Sequence, residues 1–319
     1  MGGKLRHHLF LFLVCWIWGL AFIAMKVLLD ELSYLSLNIA RFLLTALFLA
    51  PVVAFYRKNR PGLSVGEWVL VIGAGMAAVY GYHLAVTYGE TLVPAGTAGL
   101  VANITPVFAA LLSRFILHES LGLWKAAGII LALAGVAVVT VLGAGEELGA
   151  GRIQGVVFVL ISAFAWALYT VLLKPLAEEH GAFFVTSYAI FAGTLALMPL
   201  VPFARDLPSG IASLSATGWG WLLFLSLGCT VAGYLLYSKG LEGLGASQAA
   251  FYVYLVAPIA LFWGWALLGE SVNAALLLGT AMILAGLMAV GWEERRSRAG
   301  FRRAERPRET APGVRHTFK

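Results

Sequence analysis

Charge is what this sequence has least of. Only 12% of its 319 residues are Asp, Glu, Lys or Arg, about half the share of a soluble domain. With 61% hydrophobic residues and a mean hydropathy of +0.87, such a chain does not fold as a water-soluble globule. Cysteine is scarce as well. Cys15 and Cys229 are the only two, each inside an apolar run where a thiol behaves as a small apolar group, so neither a disulfide nor a cysteine metal site is expected. No carboxylate lies at the centre of an apolar run: Glu67, Glu90, Glu119, Glu242 and Glu270 all fall near run ends. There is no histidine–carboxylate metal cluster, nucleophile elbow or glycine-rich phosphate loop, which leaves no enzyme reading, no metal and no cofactor. The net charge of +6 is concentrated after Glu294, so the body is close to neutral and nucleic acid is not an expected partner.

What the chain has is long apolar runs, at about 8–28, 35–56, 68–89, 94–117, 123–143, 152–173, 181–202, 218–239, 246–268 and 272–292. A bilayer core of roughly 30 Å needs about 20 apolar residues in a helix, so these predict ten transmembrane helices in an all-α integral membrane protein. The connections are short and carry turn chemistry, such as Asn59-Arg60-Pro61-Gly62. With the N-terminus in the cytoplasm, Lys4, Arg6, Arg57, Lys58, Arg60, Arg114, Lys125, Lys174, Lys239 and the basic tail fall inside, and only Lys26, Arg152 and Arg205 outside. The positive-inside rule therefore predicts both termini cytoplasmic, in the inner membrane. The first run starts basic like a signal peptide, but it is longer than such an apolar region, lacks a clear cleavage site and is followed by nine more runs; it reads as a retained span.

The chain says everything twice. The stretch Ala95–Glu119 recurs as Ser247–Glu270, with Pro106 matching Pro258 and Glu119 matching Glu270. Trp18, Lys26, Pro51 and Arg57 map onto Trp166, Lys174, Pro199 and Arg205 at one constant offset. Further on, Gly81-Tyr82 pairs with Gly233-Tyr234, Glu90 with Glu242, and Gly128 and Gly135 with Gly279 and Gly286. Five spans per half is odd, so the second half enters the membrane in the opposite sense. The expected organisation is a cytoplasmic N-terminus (1–7), a first five-helix repeat (8–143), a linker (144–151), a second repeat (152–292) and a basic, disordered cytoplasmic tail (293–319). Two inverted five-helix repeats around a central cavity are the architecture of a secondary transporter working by alternating access. A duplicated scaffold without transport and a channel remain as alternatives.

The runs Trp18-Gly19 through Lys26, Ile39-Ala40-Arg41-Phe42-Leu43-Leu44, Thr105-Pro106-Val107-Phe108 through Glu119, and Leu131-Ala132-Leu133-Ala134-Gly135-Val136 resemble the EamA family of the drug/metabolite transporter superfamily. The resemblance covers about 8–292, and Pro258, Gly269-Glu270-Ser271 and Leu284-Ala285-Gly286 repeat it more loosely. It implies ten spans in two repeats, a central cavity and export of small metabolites such as amino acids, relatives including the YddG-type aromatic amino acid exporters. It does not fix the substrate; a multidrug or other-metabolite exporter is the alternative.

Polar groups at bilayer depth are costly unless they face a cavity or a partner. Arg41, with Asn38 and Thr45 on its helical face, is either the counter-charge of a substrate carboxylate or an arginine snorkelling near the outer end of its span. Tyr80, His83 and Thr87 recur at i, i+3 and i+7, where His83 serves as a substrate or proton site or merely bonds a neighbour. Gly96, Gly99, Asn103 and Pro106 form one stripe, suited to close helix packing with a proline that frees a carbonyl near Ala102. Aromatic lining is expected from Trp18, Tyr252 and the i, i+3 pairs Trp166 with Tyr169 and Tyr234 with Tyr237, against a simple packing role. Glu119 and Glu270 are expected to cap the helices that follow them, on opposite sides of the membrane; with Pro106 and Pro258 they are the structural or gating candidates. Small multidrug exporters carry a carboxylate in the first span, and Cys15–Ala24 has none. Neutral, zwitterionic or anionic substrates follow, with at most weak proton coupling through His83. Two fused repeats predict a monomer.

Overall fold

The computed structural model describes residues 2–59, 62–116, 122–143, 149–244 and 246–305, which are helical with no strand among them. Among the described residues, ten helices are long and apolar enough to cross a membrane: α1 Lys4–Leu28, α2 Tyr34–Phe55, α3 Val65–Glu90, α4 Ala95–Ile116, α5 Leu123–Val141, α6 Ala150–His180, α7 Ala182–Phe203, α8 Ala216–Leu244, α9 Phe251–Leu268 and α10 Ala274–Trp292. Because the number is even, α1 starts and α10 ends on one face of the bundle, called the near face below; the α1–α2, α3–α4, α5–α6, α7–α8 and α9–α10 turns form the far face. The helix of α1 already begins at Gly2. That of α10 runs on to Glu305, so the start of the basic segment expected to be disordered is helical. Its Glu, Arg and Ala residues are good helix formers, and they extend a helix already nucleated in the apolar span.

The repeats interlock. The first helix of each packs against the third and fourth helices of the other: α1 against α8 and α9, and α6 against α3 and α4. The second helices, α2 and α7, pack on each other, as do the fifth, α5 and α10. Glycine makes the last contact close. A Cβ on Gly128 would lie 2.6 Å from the Gly286 carbonyl oxygen, and one on Gly135 would lie 2.8 Å from that of Gly279. The earlier glycine of one helix thus meets the later one of the other, as a two-fold axis in the membrane plane requires. Close approach of small residues is how helices gain packing where lipid offers no hydrophobic contrast.

Both repeats break their helices at corresponding places. The third helices contain π-helical segments, Ala77–Leu84 in α3 and Phe224–Ala232 in α8. The fourth helices are interrupted at Asn103–Ile104 and at Tyr254–Leu255. Pro106 lacks the N–H that would bond the Ala102 carbonyl, and the Thr105 hydroxyl takes that oxygen at 2.9 Å. Helices broken near mid-bundle leave backbone groups beside a cavity, where they can be used.

Candidate functional site

The breaks surround one cavity of about 140 Å³ between the repeats. Arg41, His83, Asn103, Trp18, Trp166 and Tyr234 line it, together with Phe22, Met25, Tyr82, Gly99, Pro106, Cys229 and Thr230. Its walls come from α1, α2, α3, α4, α6, α8 and α9, so neither repeat forms it alone.

Arg41 is the only charged residue in the lining among the described residues. It stands seven residues from the start of α2, about 10 Å below the far face at 1.5 Å per residue. It is 4% exposed and turned into the bundle, not snorkelling. Nη1 meets His83 Nδ1 at 3.3 Å and Met25 Sδ at 3.7 Å, Nη2 meets Thr230 Oγ1 at 3.4 Å, and the Phe42 ring lies 5.3 Å from the guanidinium carbon. Thr230 gives its own hydrogen to the Leu225 carbonyl, so it accepts from Arg41. No carboxylate pairs with the guanidinium among the described residues. A guanidinium has only donors, so His83 Nδ1 must accept and the imidazole hydrogen sits on Nε2. His83 Nε2 and Arg41 Nε are both buried donors without an acceptor. Two orphaned donors on touching side chains are what an incoming carboxylate would satisfy.

Aromatic rings cover the rest. Trp18 and Trp166, equivalent in the two repeats, each meet Tyr234, at 6.0 and 6.2 Å between centroids. Tyr82 lies 4.7 Å from both His83 and Trp166. Glycine allows the close approach of Trp18 to α8 and of α6 to α3. A Cβ on Gly233 would lie 2.8 Å from Trp18 Nε1, and one on Gly81 would lie 2.5 Å from Ala165 Cβ. The Gly-Tyr pair present in both repeats is therefore the sequence signal for Tyr82.

Tyr80, Tyr169, Tyr237 and Tyr252 lie outside the lining. Tyr80 donates its hydroxyl to the Ala196 carbonyl and packs in a second core between α2, α3, α6 and α7. The reason is the π-helical turn: closing hydrogen bonds i→i+5 breaks the 3.6 period that places Tyr80 beside His83. Tyr169 stacks behind Trp166 at 4.7 Å and bonds Thr186. Tyr237 backs Trp18 at 5.4 Å, and the Tyr252 hydroxyl bonds His8 at 2.8 Å. Asn103 donates to the Val253 carbonyl at 3.1 Å, joining the breaks of α4 and α9. Gly96 and Gly99 serve packing, with a Cβ on Gly99 only 2.5 Å from Ala260 Cβ; Pro258 is half-buried in α9.

Glu270 caps a helix, but not the one that follows it. Its carboxylate accepts from Ala95 N at 2.6 Å and Gly96 N at 2.8 Å, the first N–H groups of α4 in the other repeat. α10 is capped by Asn273 instead. The carboxylate reads the nearest free amides in space, and interlocked repeats bring those of α4. Glu119 lies outside the described residues.

Comparison with known proteins places this architecture. The EamA-like transporter family matches twice, over residues 5–141 and 153–292. A protein of Streptantibioticus cattleyicolor named a probable terminal-alkyne amino-acid exporter is 30% identical over 86% of this chain and 89% of its own. One of Salmonella typhimurium named a probable amino-acid metabolite efflux pump is 28% identical over 86% and 91%. A solved crystal structure shares the fold with a TM-score of 0.61 at 18% identity, covering 91% of this chain and 98% of that one. The chain is a multi-pass membrane protein that belongs to the EamA-like transporter family.

Proposed function

We propose that this protein is a secondary transporter that exports small carboxylate-bearing metabolites, amino acids foremost, across the inner membrane by alternating access. The observation that carries this reading is Arg41: a buried guanidinium without a carboxylate partner, facing a cavity beside a histidine whose free nitrogen is also a donor. The substrate carboxylate binds Arg41 Nε and His83 Nε2, while its apolar or ammonium part lies against Trp18, Tyr82, Trp166 and Tyr234. The absence of any acidic residue from the cavity lining among the described residues disfavours permanent cations. A volume of about 140 Å³, below the roughly 300–1,000 Å³ of drug-sized sites, favours small solutes over multidrug export. The names of the two relatives point the same way. The near face, richer in lysine and arginine, is cytoplasmic, and one chain supplies both halves of the cavity, so the monomer suffices.

Counterflow in proteoliposomes tests this. Vesicles loaded with each of a panel of unlabelled amino acids are expected to accumulate labelled phenylalanine or threonine transiently when a loaded compound is a substrate. No accumulation across the panel, with inserted and folded protein, refutes amino-acid export; non-saturable leakage refutes a carrier.

A further inference from the structure

One buried acid has no part in the cavity. Glu90 ends α3 at the far face, is 0% exposed, and neither of its carboxylate oxygens has a hydrogen-bond partner. The cation beside it is turned away: Lys26 Nζ, on α1, donates to the backbone carbonyls of Glu90 at 2.6 Å and Val93 at 3.1 Å. Glu270, also near, spends its charge on the α4 amides, and Arg41 on α2 is held deeper by His83 and Thr230. The start of α4 brings no other titratable group, and α6 meets this turn through Gly155 and Val159 against Gly89. Arg152 of α6 donates to the Val139 and Thr140 carbonyls, and Tyr88 is bonded by Gln154.

A carboxylate anion buried without a donor is costly, and adding a proton lowers that cost by removing the charge. Glu90 also stands on one face of α3 with Thr87 and His83, at i, i−3 and i−7, and the Thr87 hydroxyl bonds the His83 carbonyl at 2.7 Å. Glu90 thus lies about two helical turns from the cavity-lining His83 along α3. His83 Nδ1 is occupied by Arg41, which leaves Glu90 as the titratable group free to exchange a proton.

We propose that Glu90 is a proton-binding site that couples export to proton entry, its protonated form belonging to the state with the far face closed. This rests on the export reading above. In the far-open state the Glu90 carboxylate is ionised and paired with Lys26 Nζ. A hydronium from far-side water gives its proton to a carboxylate oxygen, forming the neutral acid and leaving water. Lys26 is released to the Glu90 and Val93 carbonyls, fastening α1 to the α3–α4 turn as seen here. On the near-open side the acid returns the proton to water as substrate binds. One proton enters for each substrate exported.

Two measurements on the full-length protein in lipid test this. Difference infrared spectroscopy between neutral and alkaline pH is expected to show loss of a protonated-carboxyl carbonyl band in the native protein, and that loss is expected to be absent in Glu90→Gln. Equal difference spectra overturn the proposal whether or not a substrate is known. With an amino acid identified by counterflow, a gradient of one pH unit should drive about tenfold accumulation at one proton per substrate. Glu90→Gln should exchange substrate at equal pH but show no accumulation from the gradient, and Glu90→Asp should restore it. Gradient-driven accumulation by Glu90→Gln equal to native overturns the coupling role. Failure of counterflow in the native protein overturns the export reading instead, and the infrared result still decides Glu90.

Discussion

At the scale of single residues, the site depends on donors that have no acceptor inside the protein. Arg41 is buried, yet its repeat equivalent is Ala189, so the shared fold does not require a charge there. Arg41→Gln removes the charge, and Arg41→Lys the planar fork that His83 and Thr230 hold in place. A hydrogen bond to a charged group is worth about 1.5–3 kcal/mol. The half-saturation concentration for an amino acid in counterflow is therefore expected to rise roughly tenfold or more in Arg41→Gln. The protein should stay folded, because no carboxylate is left unpaired by the change. An unaltered half-saturation concentration would remove Arg41 from the substrate path.

At the scale of elements, α3 with α7 and α5 with α10 touch backbone to backbone at glycines. The crossing of α5 with α10 tests this directly, since a Cβ at Gly286 would lie 2.5 Å from the Gly128 carbonyl oxygen and 2.7 Å from Ala132 N. Both are backbone atoms that cannot swing aside, so Gly286→Leu forces the two helices apart. Overpacking of this kind costs about 1–3 kcal/mol, and the thermal unfolding midpoint in detergent should fall. Gly73, where an added Cβ meets nothing within 4 Å, provides the control: Gly73→Ala should leave the midpoint nearly unchanged or raise it slightly, alanine being the better helix former.

At the scale of the whole molecule, the far face is fastened by carboxylates that reach from one repeat to the other. Glu31 accepts from the backbone N–H and the hydroxyl of Ser215, both at 2.7 Å, and these bonds hold its carboxyl below the ordinary range. Asp206 accepts from Ser33 N and from the hydroxyls of Ser33 and Ser36 at 2.8–3.0 Å. Partial burial pushes its carboxyl up, but these bonds outweigh it and the net shift is down. Groups so depressed contribute stability that is complete above their unfolded values, about 4, and is lost as pH falls through the folded ones. The midpoint of the native protein should therefore drop on acidification below about pH 4, and a Glu31→Gln, Asp206→Asn double variant should drop less. A parallel fall in both would show that these ties do not hold the far face.

How much of this was legible in the sequence follows from what is written locally. Span number and the inverted duplication are properties of composition and order along one chain, and a membrane leaves few ways to satisfy twenty apolar residues. The same order paired Gly128 and Gly135 with Gly279 and Gly286, and the two-fold axis turned that alignment into a physical crossing. Arg41 and His83 could be singled out because a charge or imidazole at bilayer depth is conspicuous. Their meeting could not be read, since it joins residues from different spans. Tyr80 and Tyr82 changed places because a π-helical turn alters which residues share a face. Glu270 found the amides of α4 because the repeats interlock. Glu90 falls near a span end in the sequence, and only tertiary packing buries it and turns Lys26 to the backbone. The sequence by itself determined the architecture, because hydropathy and repetition act along the chain; only the tertiary structure decided which polar groups are left without partners, because burial and hydrogen bonding are settled between helices.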